Sequence, residues 1–297
     1  MFDLKIYIGK QKKIIDTAMH KYLARLCISE RMRQPLSYSI SAGGKRVRPI
    51  LCLAAFEAVG GNGDAVLPVA CALEMIHTYS LIHDDLPALD NDDLRRGQPT
   101  CHIQFDEATA ILSGDALLTM AFEVMSEAGL QASDREDILW LQIMDIVSRA
   151  AGCRGMIEGQ ARDLAFEGQS IDRDNLEALH RLKTGAMIKA AVHSGGLLGR
   201  GSSDQISHLI SYADYVGLAF QVVDDLLNVK GDPSKMGKAV GTDLTRKKNT
   251  YPTLIGLENS ESYAHHLIDH ALKSLAIFDK KADPLREIAR YIVRRDH

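Results

Sequence analysis

The sequence is poor in aromatic residues and has no paired cysteine motif. Aromatic side chains make up only 6% of its 297 residues, whereas alanine, leucine and isoleucine recur throughout. This composition favours α-helices over a β-sandwich, whose strands are enriched in aromatic and β-branched residues. No C-x-x-C pair occurs, which indicates a reducing compartment. We expect all five cysteines to be buried packing residues: Cys27, Cys52, Cys71, Cys101 and Cys153.

A long apolar run and an excess of charge of one sign are also missing. No stretch of about 18 uninterrupted apolar residues occurs, and the first residues lack the apolar region of a signal peptide. We therefore expect a cytoplasmic protein without a membrane span. The net charge of −4 gives no electrostatic argument for binding nucleic acid or an anionic membrane surface.

The period-two alternation of a half-buried strand is absent as well, and helical periodicity replaces it. Apolar residues at helical spacing predict an opening helix around residues 15–26, a helix apolar on nearly all faces over about 65–83, and one helix from about 174 to 198. Ser202-x-x-Gln205 resembles a capping box before a long helix. No long linker divides the chain, so we expect residues 1–297 to form one all-α domain of about ten or more helices around a central apolar active-site cavity.

Two acidic clusters stand at or near the ends of apolar, helix-patterned runs. The first contains Asp84, Asp85 and Asp90, and the second contains Asp224 and Asp225, followed by Asn228. Like charges this close repel, and burial makes their ionisation costly, so the arrangement is tolerable mainly with cations between them. Hard oxygen ligands without a thiolate or imidazole cluster indicate Mg²⁺. Its open coordination positions are commonly taken by water and by the phosphate oxygens of a substrate. The clusters therefore predict an enzyme that handles phosphate esters.

Local geometry supports this interpretation of both clusters. On a helical wheel the second cluster occupies one arc, which also includes Gln221, so its members can face a common cavity. The alternative is a solvated acidic face, but the neighbouring leucines and valines leave little room for one. In the first cluster, Pro87 disfavours helical geometry at Leu86, which lets Asp90 turn back toward Asp84. An EF-hand is unlikely here, because Leu94 takes the fifth loop position and no glycine takes the sixth.

Basic residues are concentrated in two short segments near these acids. Arg95-Arg96 follows the first cluster and offers planar donors suited to phosphate, although either arginine could merely neutralise Asp92 or Asp93. The second segment is Gly43-Gly44-Lys45-Arg46-Val47-Arg48, whose glycines let backbone approach a ligand closely. Its spacing is not that of a P-loop.

Five sequence blocks together resemble a known family. In chain order they are GGKRVRP, HTYSLIHDDLPALDNDDLRRGQPTCH, LKTG at 182–185, FQVVDDLLN and GTDLTRKKNTYP. They are similar to the trans-isoprenyl diphosphate synthases, most closely to the bacterial farnesyl diphosphate synthases, and the resemblance covers essentially the whole chain. One departure is Asn228, where the second motif of the family commonly has a third aspartate.

The resemblance implies a role for each matching position. Mg²⁺ ligands would be Asp84, Asp85, Asp90, Asp224, Asp225 and Asn228. The allylic diphosphate would be held by Arg95, Lys183, Lys238 and Lys248, and isopentenyl diphosphate by Lys45, Arg48, His77 and Arg96. Thr184 and Gln221 would turn oxygen dipoles toward the developing carbocation, and Tyr79 with Ser80 would limit product length. The residues expected to be catalytic are Asp84, Lys183, Thr184, Gln221 and Asp224.

The implied activity is the Mg²⁺-dependent condensation of dimethylallyl or geranyl diphosphate with isopentenyl diphosphate, with farnesyl diphosphate as the expected product. The resemblance also implies a homodimer. Alternatives within the family are a geranylgeranyl diphosphate synthase and a non-catalytic subunit of a heteromeric synthase. A terpene cyclase would explain the metal ligands but gives no reason for a second diphosphate site at Lys45, Arg48 and His77.

Overall fold

The computed structural model describes residues 2–132, 137–230 and 249–295. In these ranges nearly all regular structure is α-helical, which confirms the all-α fold class. Lys238 and Lys248 lie outside the described residues, so their expected roles stay predictions. The assignment of the whole chain to one domain also stays a prediction.

The first half of the chain forms a series of helices interrupted by one small hairpin. They are α1 (Leu4–Arg25), α2 (Glu30–Ser41), α3 (Val47–Ala58), α4 (Leu67–Asp84), α5 (Cys101–Gln104) and α6 (Glu107–Gln131), with strands β1 (Leu94–Arg95) and β2 (Gln98–Pro99) between α4 and α5. The apolar helix over 65–83 is confirmed within a few residues; the opening helix is also present, but it begins at Leu4, eleven residues before the predicted start. The periodicity did not reveal α2, whose Pro35 lies inside the helix.

The second half continues the helical series. It contains α7 (Asp137–Ala151), α8 (Met156–Ala165), α9 (Arg173–His180), a π-helical segment (Arg181–Gly185), α10 (Ala186–Leu198), α11 (Ser203–Lys230), α12 (Tyr251–Ile255), α13 (Leu257–Ser274), a 3₁₀ turn (Lys280–Ala282) and α14 (Asp283–Arg294). The capping box before α11 is confirmed, because the Ser202 backbone N–H donates to the Gln205 side chain at 2.9 Å.

Helix α4 lies at the centre of the core, as its sequence predicts. Most of its residues are buried, and it packs against α1, α2, α3, α6 and α10. Helix α11 is buried along most of its length and packs against α10, α13 and α14. These two core helices carry the two acidic clusters, so packing fixes the backbone from which the carboxylates project.

The continuous helix expected from about 174 to 198 is interrupted. Residues Arg181–Gly185, which include the LKTG stretch, form a π-helical turn between α9 and α10. Apolar periodicity continues across such a turn because only one residue is added, so the sequence did not reveal it. A π-turn inside a helix is uncommon and often marks a functional site.

The hairpin β1–β2 was also not expected from the sequence. Leu94 pairs with Pro99 and Arg95 with Gln98, and the two residues between the strands, Arg96 and Gly97, have φ of 54° and 76°. Two-residue hairpin turns require positive φ at both central residues and are usually Asn-Gly or Asp-Gly. Arg96-Gly97 is neither of these pairs, so the sequence pattern did not indicate a hairpin here.

Two of the five cysteines lie at the protein surface. Cys27 and Cys153 are exposed, so the prediction that all five cysteines are buried packing residues is wrong for these two.

Helix α6 is long and apolar enough to cross a membrane by length and composition alone, and half of its most apolar window is buried in the fold. Core helices of proteins without membrane spans pass the same test, so α6 is weak evidence for a span.

Candidate active site

A cavity of about 1690 Å³ opens between the helices that carry the acidic clusters. Of the residues singled out from the sequence, it is lined by Lys45, Arg48, His77, Tyr79, Ser80, Asp84, Asp90, Arg95, Arg96, Lys183, Thr184, Gln221, Asp224 and Asp225. Asp85 and Asn228 are buried nearby without lining it. Residues that are far apart in sequence therefore share one cavity, and each role assigned to them stays a prediction.

The first acidic cluster lies where α4 ends and the chain folds back on itself. The Asp90 backbone N–H donates to the Asp84 carbonyl oxygen at 2.8 Å, and the Asp92 N–H donates to the Asp85 carbonyl oxygen at 3.2 Å. Asn91 makes this turn with a φ of 50°. The return of Asp90 toward Asp84, predicted from Pro87, is thus present.

The two adjacent aspartates of this cluster have different surroundings. Burial raises the pKa of Asp84 to about 6, the charge of Lys183 opposes that rise, and Asp90 adds to it. Asp85 is buried and accepts hydrogen bonds from Arg95 Nε at 2.7 Å and 2.9 Å, with a further bond from Arg95 Nη2. Asp85 therefore already has a cation, whereas Asp84 faces the cavity with an ionisation cost that a bound cation would relieve.

The second acidic cluster divides in a similar way. The Asp224 side chain is 45% exposed and lies 3.5 Å from Arg295 Nη2. Asp225 is buried, accepts a hydrogen bond from the Tyr251 backbone N–H at 3.0 Å, and lies 3.5 Å from His180 Nε2. Asp224 is consequently the member of this pair that is most accessible to a ligand, while Asp225 ties α11 to the start of α12.

Lys183 lies in the π-helical segment and reaches across the cavity edge to α8. Its Nζ donates to Asp163 Oδ2 at 2.6 Å. The segment can approach α8 because residue 159 is glycine: a Cβ there would lie 2.4 Å from the Lys183 backbone nitrogen and 2.5 Å from its Cα. Gly159 and Asp163 are one turn apart on α8, so one face of that helix both admits and orients Lys183.

Thr184 and Gln221 form a direct contact between the π-helical segment and α11. The Thr184 hydroxyl donates to Gln221 Oε1 at 2.6 Å, and both residues line the cavity. This hydrogen bond fixes the direction of the Gln221 amide. The pair therefore presents oriented oxygen dipoles between the two acidic clusters.

In the basic segment before α3, Arg46 has a structural role. Its buried guanidinium donates to Asp16 at 2.9 Å, to Glu74 at 2.8 Å and to the Ile40 carbonyl at 2.6 Å. Its backbone is left-handed, with φ of 51°, directly before α3 begins. This conformation directs Arg46 into the protein interior.

Arg48 and Arg96 provide the positive charge of this part of the cavity. Burial lowers the pKa of both arginines, and Arg96 further lowers that of Arg48. Arg96 donates to the Gly43 carbonyl, and the neighbouring Gly44 has a φ of 124°, which favours glycine; a Cβ there would also displace the Arg96 guanidinium. In the described part of the chain, the buried Arg48 Nε has no hydrogen-bond partner. Arg48 and Arg96 repel each other, and Arg48 has an N–H group available, so the two together suit an anionic ligand.

His77 lies beside these arginines and is neutral near pH 7. Burial lowers its pKa well below the usual value, and the charges of Arg48 and Arg96 lower it further. A neutral imidazole can donate a hydrogen bond to a phosphate oxygen without adding charge.

Tyr79 and Ser80 line the cavity one turn below Asp84. Tyr79 is 6% exposed, and its ring packs edge-on against His83 at a centroid distance of 5.7 Å. Ser80 Oγ donates to the His77 carbonyl at 2.9 Å. A large aromatic ring thus forms part of the cavity wall about one turn before Asp84 on α4.

Sequence reasoning missed several charged residues of the cavity wall, among them Glu74, Asp163 and Arg295. Glu74 was visible as the lone acid in an apolar helix. Asp163 lies in α8, which the periodicity did not reveal. Arg295 belongs to the basic end of the sequence; its guanidinium lies 4.2 Å from the centre of the Phe220 ring and donates to the Phe220 carbonyl at 3.1 Å.

The donor set suits Mg²⁺, since the accessible ligands are carboxylate oxygens and a bound cation would offset the burial that raises the pKa of Asp84. Among the described residues, no three His, Cys, Asp or Glu side chains are close enough together to hold one ion. An ion here would therefore complete its coordination with water or ligand oxygens, as Mg²⁺ commonly does.

Comparisons with known proteins agree with this geometry. A family model described as polyprenyl synthetase matches residues 29–288. The chain is 43% identical to a farnesyl diphosphate synthase of Geobacillus stearothermophilus, over 98% of this chain and 97% of that protein. It is also 43% identical to a geranylgeranyl diphosphate synthase of Cyanophora paradoxa, over 100% and 98%. The solved structure of an FPP/GFPP synthase from Zymomonas mobilis covers 98% of both chains with a TM-score of 0.85 and 38% identity.

Replacing Glu74 by alanine should destabilise the protein strongly. Glu74 is the buried acid that pairs with Arg46 and lies near Arg48 and Arg96, so its loss leaves buried cations without a counter-charge. We expect a loss of about 3–5 kcal/mol in the free energy of unfolding, measured in urea. Glu261→Ala, which removes an exposed pair with Lys230, is the control and should cost less than about 1 kcal/mol. Equal effects would contradict this account.

Proposed function

The chain belongs to the polyprenyl synthetase family, and on that premise we propose that it is a short-chain trans-prenyltransferase. Its substrates would be an allylic diphosphate, dimethylallyl or geranyl, and isopentenyl diphosphate, condensed head to tail to farnesyl diphosphate. One observation carries the proposal: a single cavity is lined by carboxylates from both acidic clusters and by two separate groups of cationic side chains. Two groups of cations suit two diphosphates.

The residues that would hold Mg²⁺ are the accessible members of each cluster, Asp84 and Asp90 on one side and Asp224 on the other. Asp85, Asp225 and Asn228 are buried behind them and would support the site. When bound, Mg²⁺ supplies Lewis acidity and a template for the diphosphate oxygens.

The allylic diphosphate would lie between the acidic clusters. Lys183 and Arg95 stand at its sides and are already held by Asp163 and Asp85, so their positions are set before substrate arrives. Ionisation breaks the allylic C–O bond, and the electron pair leaves with the diphosphate. Preorganised cations stabilise the negative charge that appears there. Lys238 and Lys248 are proposed as further ligands of this diphosphate.

Isopentenyl diphosphate would bind at the second cationic group, formed by Lys45, Arg48, His77 and Arg96. Arg48 and Arg96 lose part of their mutual repulsion when an anion binds between them. The double bond of isopentenyl diphosphate then attacks the allylic carbocation and forms the new C–C bond. Loss of a proton from the adjacent carbon restores a double bond, with the released diphosphate as the acceptor.

The carbocation must be stabilised and kept from water. Thr184 and Gln221 are proposed to face it, because their hydrogen bond fixes two oxygen dipoles at the cavity wall. Apolar side chains line the same cavity and exclude water: Leu118, Met156, Leu164, Ile188 and Phe220. Without water in the cavity, the fixed dipoles stabilise the carbocation more strongly.

Product length would depend on Tyr79, which fills the part of the cavity below Asp84, with Ser80 beside it. A growing apolar chain that meets this ring stops at fifteen carbons, whereas a smaller side chain leaves room for twenty. Geranylgeranyl diphosphate is therefore the alternative product. A terpene cyclase leaves the second cationic group unexplained, and a non-catalytic subunit leaves both acidic clusters unexplained.

We also propose that the protein is a cytoplasmic homodimer. Exposed apolar side chains occur along α6 and α7, including Ile111, Leu112, Ile138 and Leu141. A second copy that covers this surface would account for them. Sedimentation velocity at several concentrations tests the dimer, and a monomer at all concentrations would contradict it.

The activity is tested by incubating the purified protein with Mg²⁺, geranyl diphosphate and isopentenyl diphosphate. We expect stoichiometric release of diphosphate and a fifteen-carbon prenyl diphosphate, identified by mass spectrometry after dephosphorylation. Cyclic hydrocarbons formed without isopentenyl diphosphate would favour a cyclase. No turnover by a folded protein would favour a non-catalytic subunit.

Substitutions in the second acidic cluster should differ in their effects. Asp224→Ala removes the accessible carboxylate and should slow turnover by an amount on the order of several kcal/mol of transition-state stabilisation. Asn228→Asp changes a buried position that does not line the cavity, and kcat should stay within about tenfold of the parent protein. Steady-state kinetics at saturating Mg²⁺ measures both. Equal, mild losses would refute the assigned ranking.

Tyr79→Ala should lengthen the product. Removal of the ring opens space below Asp84, so twenty-carbon geranylgeranyl diphosphate should replace part of the fifteen-carbon product. The matched control is Tyr22→Ala, which removes the same side chain from α1 without altering the cavity lining. An unchanged product distribution in Tyr79→Ala would show that another residue limits chain length.

A further inference from the structure

Two histidines on α13 lie one helical turn apart and face each other. The Nε2 atoms of His266 and His270 are 3.0 Å apart, and their ring centroids are 4.4 Å apart. His266 is exposed and His270 is half-buried. Neither residue lines the large cavity, so the pair is separate from the proposed active site.

A neighbouring aromatic ring fixes the orientation of one imidazole. Tyr215, on α11, stacks on His270 at a centroid distance of 5.1 Å and an interplanar angle of 28°. The stack restricts rotation of the His270 ring while leaving Nε2 directed toward His266. A ligand-binding nitrogen that is held in place loses less entropy on binding a metal.

The distance between the nitrogens is close to that of two neighbouring ligands on one divalent ion. Imidazole nitrogen binds a divalent metal at about 2.0–2.1 Å, so two nitrogens 3.0 Å apart subtend roughly 95° at the ion. That angle matches neighbouring positions of a tetragonal or octahedral site, whereas tetrahedral zinc needs about 110°. We propose that His266 and His270 form a surface binding site for a tetragonal divalent transition-metal ion, with Cu²⁺ preferred and Ni²⁺ next.

The site would be completed by solvent. Across the described ranges, no cluster of three His, Cys, Asp or Glu side chains is suited to metal binding, so the protein supplies two ligands and water supplies the others. His265 and Asp269 occupy the adjacent positions at the same spacing on α13. His265 offers a control, because it is a histidine next to the pair whose i+4 position holds an aspartate instead of a second imidazole.

Helix α13 packs closely on α11, the helix that carries the second acidic cluster. An ion held by His266 and His270 would bridge consecutive turns of α13 beside its contact with Tyr215. It should therefore raise the thermal stability of the protein, because the two nitrogens face each other only in the folded state, which then binds the ion more tightly than the unfolded chain does. This provides a measurement that does not depend on catalysis.

The experiment uses the full-length protein without an affinity tag, in excess Mg²⁺ so that the carboxylates of the cavity are occupied. CuCl₂ is titrated by calorimetry, and the bound ion is examined by electron paramagnetic resonance. We expect a tetragonal spectrum with splitting from two nitrogens, and a melting temperature that rises with Cu²⁺ and falls back when a chelator is added.

Variants decide between this site and others. His270→Ala and His266→Ala should each weaken Cu²⁺ binding by at least about tenfold, because one nitrogen alone lacks the chelate geometry. His265→Ala should bind like the parent protein. Unchanged affinity in His266→Ala and His270→Ala, or a parent spectrum without two-nitrogen splitting, would overturn the proposal and leave the pair as a hydrogen bond between two imidazoles.

Discussion

The structure depends on the separation of two kinds of charge within a largely apolar helical core. Carboxylates from α4 and α11 face one region of the cavity, and the arginines near α3 and the β1–β2 hairpin face another. Each group contains charges that are compensated inside the protein, such as Asp85 by Arg95 and Arg46 by Glu74. The remaining charges are directed at the cavity, where ligands of opposite sign complete the balance.

This division explains why neighbouring residues in a motif have unequal roles. Asp84 and Asp85 are adjacent, yet one faces the cavity and the other is paired with an arginine in the wall. Asp224 and Asp225 divide in the same way, with Asp225 bonded to the α12 backbone. Adjacent helical residues point about 100° apart, so the two members of each pair meet different surroundings: Asp84 and Asp224 are accessible from the cavity, whereas Asp85 and Asp225 are buried against protein partners. The buried partner fixes the loop or helix that positions its neighbour.

Much of the fold and the cavity lining could be predicted from the sequence, because apolar periodicity and charge clusters report directly on burial. The helix class, the central position of α4 and the return of Asp90 toward Asp84 followed from those patterns. Other features depend on contacts between distant segments. The π-turn at Lys183 requires the close approach of α8 at Gly159, and Arg46 differs from Arg48 only because Glu74 and Asp16 lie beside it.

The backbone at the mouth of the cavity has one further property. Arg46, Asn91 and Arg96 account for three of the four non-glycine residues with positive φ in the described ranges, and each costs roughly 1–2 kcal/mol relative to an ordinary conformation. Glycine at position 96 would relax the backbone but would delete the guanidinium that lines the cavity, whereas the side chain of Arg46 is needed for its bonds to Asp16 and Glu74. At Arg96, therefore, relief of backbone strain conflicts with the proposed binding of a diphosphate, and this turn is where a trade-off between robustness and catalysis is built into the fold.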